Sequence, residues 1–377
     1  MRQLSDEQRL DWLRLIRSDN VGPATFRDLL THYGSASAAL EALPHLSRSG
    51  GGRRAIRICS SEKAETELED TKRAGVSLVA LDESDYPPWL AAADAAPPLI
   101  TIKGNTDLVS RPMVAIVGSR NGSAIGQKFT RMLAGDLGSQ GFVIASGMAR
   151  GIDTAAHTAA LERGTLAVLA GGIDSIYPPE NAELYETIGT SGLLLSEMPF
   201  GYRQRGQDFP RRNRLIAGVS LGVVVIEAAN RSGSLITARL AGEMGREVFA
   251  VPGNPLDPRA AGTNKLLRDG AGLVTSADDI IEVLAPILGR EIMPINNAAL
   301  TAETASNSRV PTDIDQPDRE KVVNALGTSP VDIDEIARAT GISARHVQIV
   351  LLELDLGGRL QRHGHQLVSL IDPDNGD

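Results

Sequence analysis

The sequence predicts a mostly parallel, doubly wound α/β sheet with helices on both faces, flanked by an N-terminal helical domain and a C-terminal winged helix. Three observations predict it. Between about residues 76 and 288, short β-branched runs (MVAIVGS, FVIASG, TLAVLAGG, LLLSEMP, LGVVVIEA, EVFAVPG and GLVT) alternate with amphipathic stretches. Strands this apolar are covered on both faces, as parallel sheets with crossover helices require. Nearly every run ends in a Gly/Ser-rich turn that opens the next helix, and ligands on such sheets bind outside the carboxyl ends of the strands. At 377 residues the chain also exceeds one typical core, so two or three domains are expected.

Residues 1–75 read as helices. Leu10, Leu13 and Ile16 stand at helical spacing, Asn20-Val21-Gly22-Pro23 breaks the pattern, and ATFRDLLTHYG forms a second helix that Gly34 ends. SASAALEAL is a third. This arrangement is similar to SAM-like and helix-hairpin-helix modules, read as a structural or protein-contacting bundle before an accessory DNA contact. Residues 76–288 form the sheet domain. Residues 289–317 are polar, aperiodic and rich in Asn, Ser, Thr and Pro, which marks a linker. Residues 318–377 read as three helices (DREKVVNALG, DIDEIARATG, SARHVQIVLLELDLGG) and a hairpin turning at Gly364, with Ser343 as N-cap of the third helix. From 311 to 371 acids outnumber Lys and Arg by nine to six, which favours protein contact, although Arg345, His346 and Gln348 would face a major groove.

Composition is that of a soluble protein, 42% hydrophobic and 23% charged. No apolar run approaches the roughly 20 residues needed to cross a bilayer, and the N-terminus, which carries acids and no continuous apolar stretch, is not a secretory signal. One cysteine, Cys59, excludes an internal disulfide and a cysteine-built metal site, so a reducing, cytoplasmic setting is expected. No His/Asp ligand spacing suggests a metal, and no cofactor is expected. The net charge of −9 opposes non-specific coating of nucleic acid, but residues 200–216 carry five Arg against one Asp.

The first strand of the sheet domain exits into Gly118-Ser119-Arg120. The glycine spacing is wrong for a dinucleotide turn, and no acid ends the second strand, so NAD is disfavoured. A guanidinium at such a mouth suits a nucleic-acid backbone. Ser146-Gly147-Met148-Ala149-Arg150-Gly151 is a second such loop, whose N–H groups are expected to be free for an anion. His157 follows it without a nucleophile partner, which favours a structural histidine. Phe209-Pro210-Arg211-Arg212-Asn213-Arg214 combines phosphate neutralisation, amide hydrogen bonding and a stacking surface, the ingredients of a single-strand groove. Ser232, Gly233 and Ser234 open another helix with hydroxyl and N–H donors, and Lys265 adds a cation in a polar turn.

Taken together, IVGSR, SGMARGIDTAAH, LAGGIDSIYPPEN, LLSEMPFG, FPRRNRLIAGVS, EAANRSGSLITARLAGEMGREVFAVPG and GTNKLLRDGA resemble, in order, the motifs of the DNA-processing protein A (DprA/Smf) family over about residues 76–285. The resemblance implies a Rossmann-like domain that binds and protects incoming single-stranded DNA during natural transformation and hands it to the RecA recombinase. It also implies a homodimer formed through that domain and no catalytic activity. By motif, Ser119, Arg120, Gly147, Arg211, Arg212, Asn213 and Arg214 would line the DNA groove, with Lys265 beside them. One alternative is a nucleotide phosphoribohydrolase-like enzyme, disfavoured because Thr237 stands where a catalytic carboxylate is expected. Another is a nucleotide-sensing transcription regulator whose winged helix reads duplex DNA, disfavoured by the acidic wing.

Overall fold

A computed structural model of the chain describes residues 3–52, 54–94, 96–289, 314–363 and 366–371. The chain divides into two units, one of residues 67–295 and one joining residues 4–66 to 296–377. The N-terminal helices are α1 (Asp6–Ile16), α2 (Pro23–Tyr33), α3 (Ala36–Ser49) and α4 (Ser61–Arg73). A capping box between Ser5 and Gln8 starts α1, and Gly34 ends α2 at φ 75°. Trp12 and Phe26 meet edge to face at 5.0 Å in the centre of the bundle.

The sheet unit runs β1 (Ser77–Ala80), α5 (Pro88–Ala91), β2 (Leu99–Gly104), β3 (Met113–Val117), α6 (Ala124–Ser139), β4 (Val143–Ser146), α7 (Ile152–Ala160), β5 (Thr165–Val168), α8 (Ala182–Ser191) and β6 (Leu193–Ser196). It continues through α9 (Asp208–Val219), β7 (Gly222–Val225), α10 (Gly233–Glu243), β8 (Glu247–Ala250), α11 (Ala261–Arg268), β9 (Gly272–Leu273) and α12 (Ala277–Leu288). The strand order is β1-β2-β6-β5-β4-β3-β7-β8-β9. Strands β3 to β9 are parallel, whereas β1 and β2 are antiparallel additions at one edge. The seven predicted runs all form strands. The two antiparallel strands β1 and β2, of four and six residues, are not among those runs. Every residue of β3 to β7 is buried, as two covered faces require. One face packs Leu133, Leu137, Ile152, Ala156, Ile280 and Leu284 over Val114, Ile116, Ile144 and Val224. From β3 the chain winds one way to β6, then returns to lay β7 on the other side of β3. That reversal is the topological switch point.

The winged helix comprises α13 (Gln316–Ala325), β10 (Val331–Asp332), α14 (Ile333–Thr340), α15 (Ala344–Leu356), β11 (Leu360–His363) and β12 (Leu367–Leu370). Ser343 caps α15 by accepting from the His346 N–H at 3.3 Å. The hairpin gains a third strand, because β10 pairs with β12. Most of the expected linker, residues 290–313, and Gly364 lie outside the described residues. Residues 314–317 already belong to the winged helix: Ile314 is buried in its core and Asp315 caps α13.

Within this unit α15 is buried on two sides. Val347, Val350, Leu351 and Leu354 fill the winged-helix core with Val322, Ile336 and Val368. The helix also packs on α2 and α3. Thr25 Oγ1 donates to Asp355 at 2.9 Å, Asn20 Nδ2 to the Leu356 carbonyl at 3.0 Å, and Arg362 bridges Asp28 and Asp355 at 2.8 and 2.9 Å. The backbones approach so closely that a Cβ on Gly50 would stand 1.7 Å from the Glu353 carbonyl oxygen. The Asn20-Val21-Gly22 turn is therefore engaged by the winged helix. Arg345 and Gln348 remain exposed at the start of α15, and His346 is half-buried.

Candidate nucleic-acid interface

A cleft of about 820 Å³ opens at the switch point, over the carboxyl ends of β3 and β7. Its walls are the 118–121 turn after β3, the start of α9, and residues 229–237 leading into α10. Arg120, Arg205, Arg212 and Arg231 line it, with Asp153 the one carboxylate among the lining residues. A smaller recess of about 200 Å³ adjoins it, formed by Arg120, Gly147, Arg150, Tyr177, Pro178 and Phe209 among others.

The turn carrying Arg120 is fixed from below. The Ser119 carbonyl accepts from the Ile152 N–H at 3.3 Å, and its hydroxyl accepts from the Asn121 N–H at 3.2 Å. Glu227, at the end of β7, accepts from the N–H and hydroxyl of Ser123 at 2.8 and 2.5 Å and so ties the turn to the next strand. Gly151 lies at φ 79°, and a Cβ there would stand 2.5 and 2.6 Å from the carbonyl oxygens of Ser119 and Arg120. Gly151→Ala is expected to cost about 1 kcal/mol or more and to push the Arg120 turn outward. Thermal denaturation gives the first quantity. A crystal structure of the variant, with a longer Arg120–Phe209 distance than 5.3 Å, reports the second.

Those neighbours are Phe209 and Tyr177. The Arg120 guanidinium lies 5.3 Å from the Phe209 ring centre, and the Phe209 and Tyr177 rings stand 5.4 Å apart, inclined at 51°. Tyr177 is exposed, so the aromatic surface is open to solvent. Neither Tyr177 nor Arg205 figured among the expected site residues. The YPPEN string and the basic run held the signal, but only the fold brings them beside Phe209.

The arginines of the FPRRNR stretch are placed otherwise than expected. Arg211 and Arg214 both pair with Glu197, which is buried; the Arg211 contact is 3.2 Å. One carboxylate of the SEMP segment thus serves two of the three guanidinium groups and offsets one of their two charges, and neither Arg211 nor Arg214 is among the residues lining the cleft. Arg212 is 7% exposed and donates through Nη1 to the carbonyls of Gly147 and Val168 at 2.7 and 2.5 Å. Burial pushes its guanidinium down to about 10, so it stays charged at neutral pH. Asn213 ties α9 to α10 by donating to the Gly233 carbonyl at 3.1 Å.

The 147–149 turn is likewise closed. Asp153 Oδ2 accepts from the N–H groups of Gly147 and Ala149, both at 3.2 Å. These donors, expected to be free for an anion, are already satisfied. Arg150 faces the smaller recess with a loose ion pair to Glu180 at 3.7 Å. Ser232 caps α10, shares a 2.7 Å hydroxyl contact with Ser234, and lines the cleft with Gly233 and Ser234. Lys265 pairs with Asp269 on α11 and is not among the lining residues. His157 is fully buried, with Nδ1 2.7 Å from Thr165 Oγ1. No group of three or more His, Cys, Asp or Glu residues could hold a metal among the described residues. No described helix is long and apolar enough to cross a membrane.

Fold and site together define a Rossmann-like protein with an arginine- and aromatic-lined cleft at its switch point, carrying helix-hairpin-helix and winged-helix domains. Within that class, the chain belongs to the DNA recombination-mediator protein A family, DprA/Smf. Residues 77–285 match that family, residues 6–69 match the DprA-like N-terminal HHH domain, and residues 306–365 match the DprA winged helix domain. Protein Smf of Synechocystis is 32% identical over 94% of this chain and 97% of its own. DNA processing protein DprA of Streptococcus pneumoniae is 48% identical over 52% of this chain and 71% of its own. The crystal structure of the Streptococcus pneumoniae DprA superposes with a TM-score of 0.61 at 35% identity, covering 74% of this chain and 98% of that one. A structure of Helicobacter pylori DNA processing protein A, described for its unique single-stranded DNA binding mode, gives a TM-score of 0.51 at 30% identity, covering 56% of this chain and 96% of that one.

Proposed function

We propose that this chain binds single-stranded DNA in the switch-point cleft, protects it during natural transformation, and helps load RecA, acting as a homodimer and without catalysis. The observation that carries the reading is Arg120. It stands at the cleft mouth between a groove lined by Arg205 and Arg231 and an open Phe209/Tyr177 surface. Phosphates meet guanidinium groups and the N-terminal donors of α10, while an unstacked base meets the rings. Every base has a π face, so this combination is indifferent to sequence. A duplex hides its base faces and offers the rings nothing. The Helicobacter pylori relative binds single-stranded DNA, which supports the same assignment here. The hydrolase alternative finds Thr237 buried in the cleft wall and the one lining carboxylate, Asp153, occupied by two loop N–H groups.

Fluorescence anisotropy with a labelled oligothymidine strand and a matched duplex, over a salt series, tests the proposal. Preference for the single strand, with affinity falling steeply as salt rises, is the expected result. Preference for duplex by the full chain would transfer the function to the exposed Arg345 and Gln348 of the winged helix. RecA loading is tested by whether the protein accelerates RecA filament formation on strands already covered by a single-strand-binding protein.

A further inference from the structure

An acid in a cleft for polyanions requires an explanation. Asp153 lines that cleft at 6% exposure, in the first turn of α7. Its carboxylate closes the 147–149 turn, where Met148, a buried non-glycine residue, sits in the left-handed region at φ 60°. The rest of the turn is held with equal completeness. Arg212 donates to the Gly147 carbonyl, Asn181 Nδ2 to the Met148 carbonyl at 2.8 Å, and Thr154 to the Ala149 carbonyl through both N–H and hydroxyl. Asp153 and Arg212 therefore hold the same residue through its two flanking peptide groups, one at the N–H of Gly147 and one at its C=O. A Cβ on Gly147 would stand 2.7 Å from Arg212 Nη2, so the cation packs directly against the Gly147 backbone while its side chain, like that of Asp153, reaches the cleft wall.

The geometry points to Asp153 as a positioning residue that also masks a cation: it holds the cleft floor in shape and offsets the charge of Arg212, so that loss of its negative charge exposes Arg212 to a bound strand and tightens binding. This rests on the single-strand reading above. The charged and titratable groups around the pair are few. Arg212 comes from α9, His157 from α7, and Arg120 from the β3–α6 turn. Burial, reinforced by Arg212, pushes His157 down to about 3, so it is neutral above that pH. Burial pushes the Asp153 carboxyl up to about 6, against the opposing pull of Arg212 and the two N–H groups. Of Asp153, His157 and Arg212, Asp153 alone changes charge between pH 5 and 8.

The test measures oligothymidine binding by the full chain from pH 5.5 to 8 at fixed salt. Wild type is expected to bind about 3- to 10-fold more tightly at pH 5.5 than at pH 8, the scale of one charge gained near a phosphate in a partly screened site. Asp153→Asn keeps an oxygen that accepts from the turn but carries no charge. It is expected to be flat with pH and as tight at pH 8 as wild type at pH 5.5. Arg212→Gln, which removes the masked cation, is expected to lose the pH response as well. A normal pH response in either variant, or weaker binding by Asp153→Asn at pH 8, overturns the proposal.

Urea midpoints separate the two levels of inference. The folded carboxyl holds its proton up to about pH 6, above its ordinary value near 3.8, so the wild type loses stability as pH rises through 6. Asp153→Asn has no such loss and should gain on wild type between pH 5 and 7.5. If wild type binds no single strand at any pH, the functional reading fails. The charge pair then stands or falls on that pH-dependent difference in midpoint.

Discussion

Arg120→Ala is expected to weaken single-stranded DNA binding by about 10- to 100-fold near 0.1 M salt, because it removes a charge-assisted phosphate contact of about 1.5–3 kcal/mol. It should also make the plot of log affinity against log salt shallower by about 0.7, the increment for one phosphate on a single strand. The loss should be similar for strands of any sequence, since the contact reads backbone. Arg120 has no ion pair among those found in the described residues. Its guanidinium rests on the Phe209 ring, so little rearrangement precedes contact with a strand. Arg211→Ala provides the comparison. Its guanidinium shares Glu197 with Arg214 and does not line the cleft, so its slope change should be smaller than that of Arg120→Ala. An unchanged slope for Arg120→Ala, or a changed base preference, would move the binding surface away from the switch point.

The second large effect concerns the terminal unit. Arg319 grips Glu353 with two hydrogen bonds, Nε to Oε2 at 2.9 Å and Nη2 to Oε1 at 3.0 Å, and the Glu353 side chain is 3% exposed. Arg319→Ala leaves that carboxylate buried without its main partner, which costs about 3–5 kcal/mol. The two tryptophans allow the loss to be located. Trp12 lies in the N-terminal bundle, which packs on α15, and Trp89 lies in the sheet unit. In a Trp89→Phe background, the Trp12 urea transition should fall by that amount. Adding Glu353→Gln should restore a large part of it, because the remaining group is no longer charged. A shift below about 1 kcal/mol would show that solvent or other groups reach Glu353. The same experiment tests whether bundle and winged helix unfold together, as the Gly50–Glu353 approach and the Asn20, Thr25 and Arg362 hydrogen bonds lead one to expect.

These effects show how unevenly the sequence disclosed the molecule. The alternation of apolar runs and glycine turns determined the parallel sheet, since a strand such as MVAIV has no polar face to give to water. The same reasoning placed function at the carboxyl ends of the strands. Cap residues, including Gly34 and Ser343, located helix ends because an unpaired terminal N–H or C=O needs a local partner. The order of motifs determined the family.

What the sequence could not disclose is which charges remain available. Arg211, Arg212 and Arg214 read as three phosphate-neutralising cations within four positions. On helix α9, however, neighbouring positions point about 100° apart, and the fold supplies the single carboxylate of Glu197 to two of them and the Gly147 and Val168 carbonyls to the third. The N–H groups of Gly147 and Ala149 read as open donors, yet a carboxylate six and four residues later accepts from both. Tyr177 and Phe209 are 32 positions apart and become one surface only through packing. The sequence determined the strands, their caps and the end of the sheet where ligands bind, because those follow from local polarity and backbone geometry. Tertiary structure alone decided whether each charge faces solvent or a partner, because electrostatic compensation depends on distance in space and not on separation along the chain.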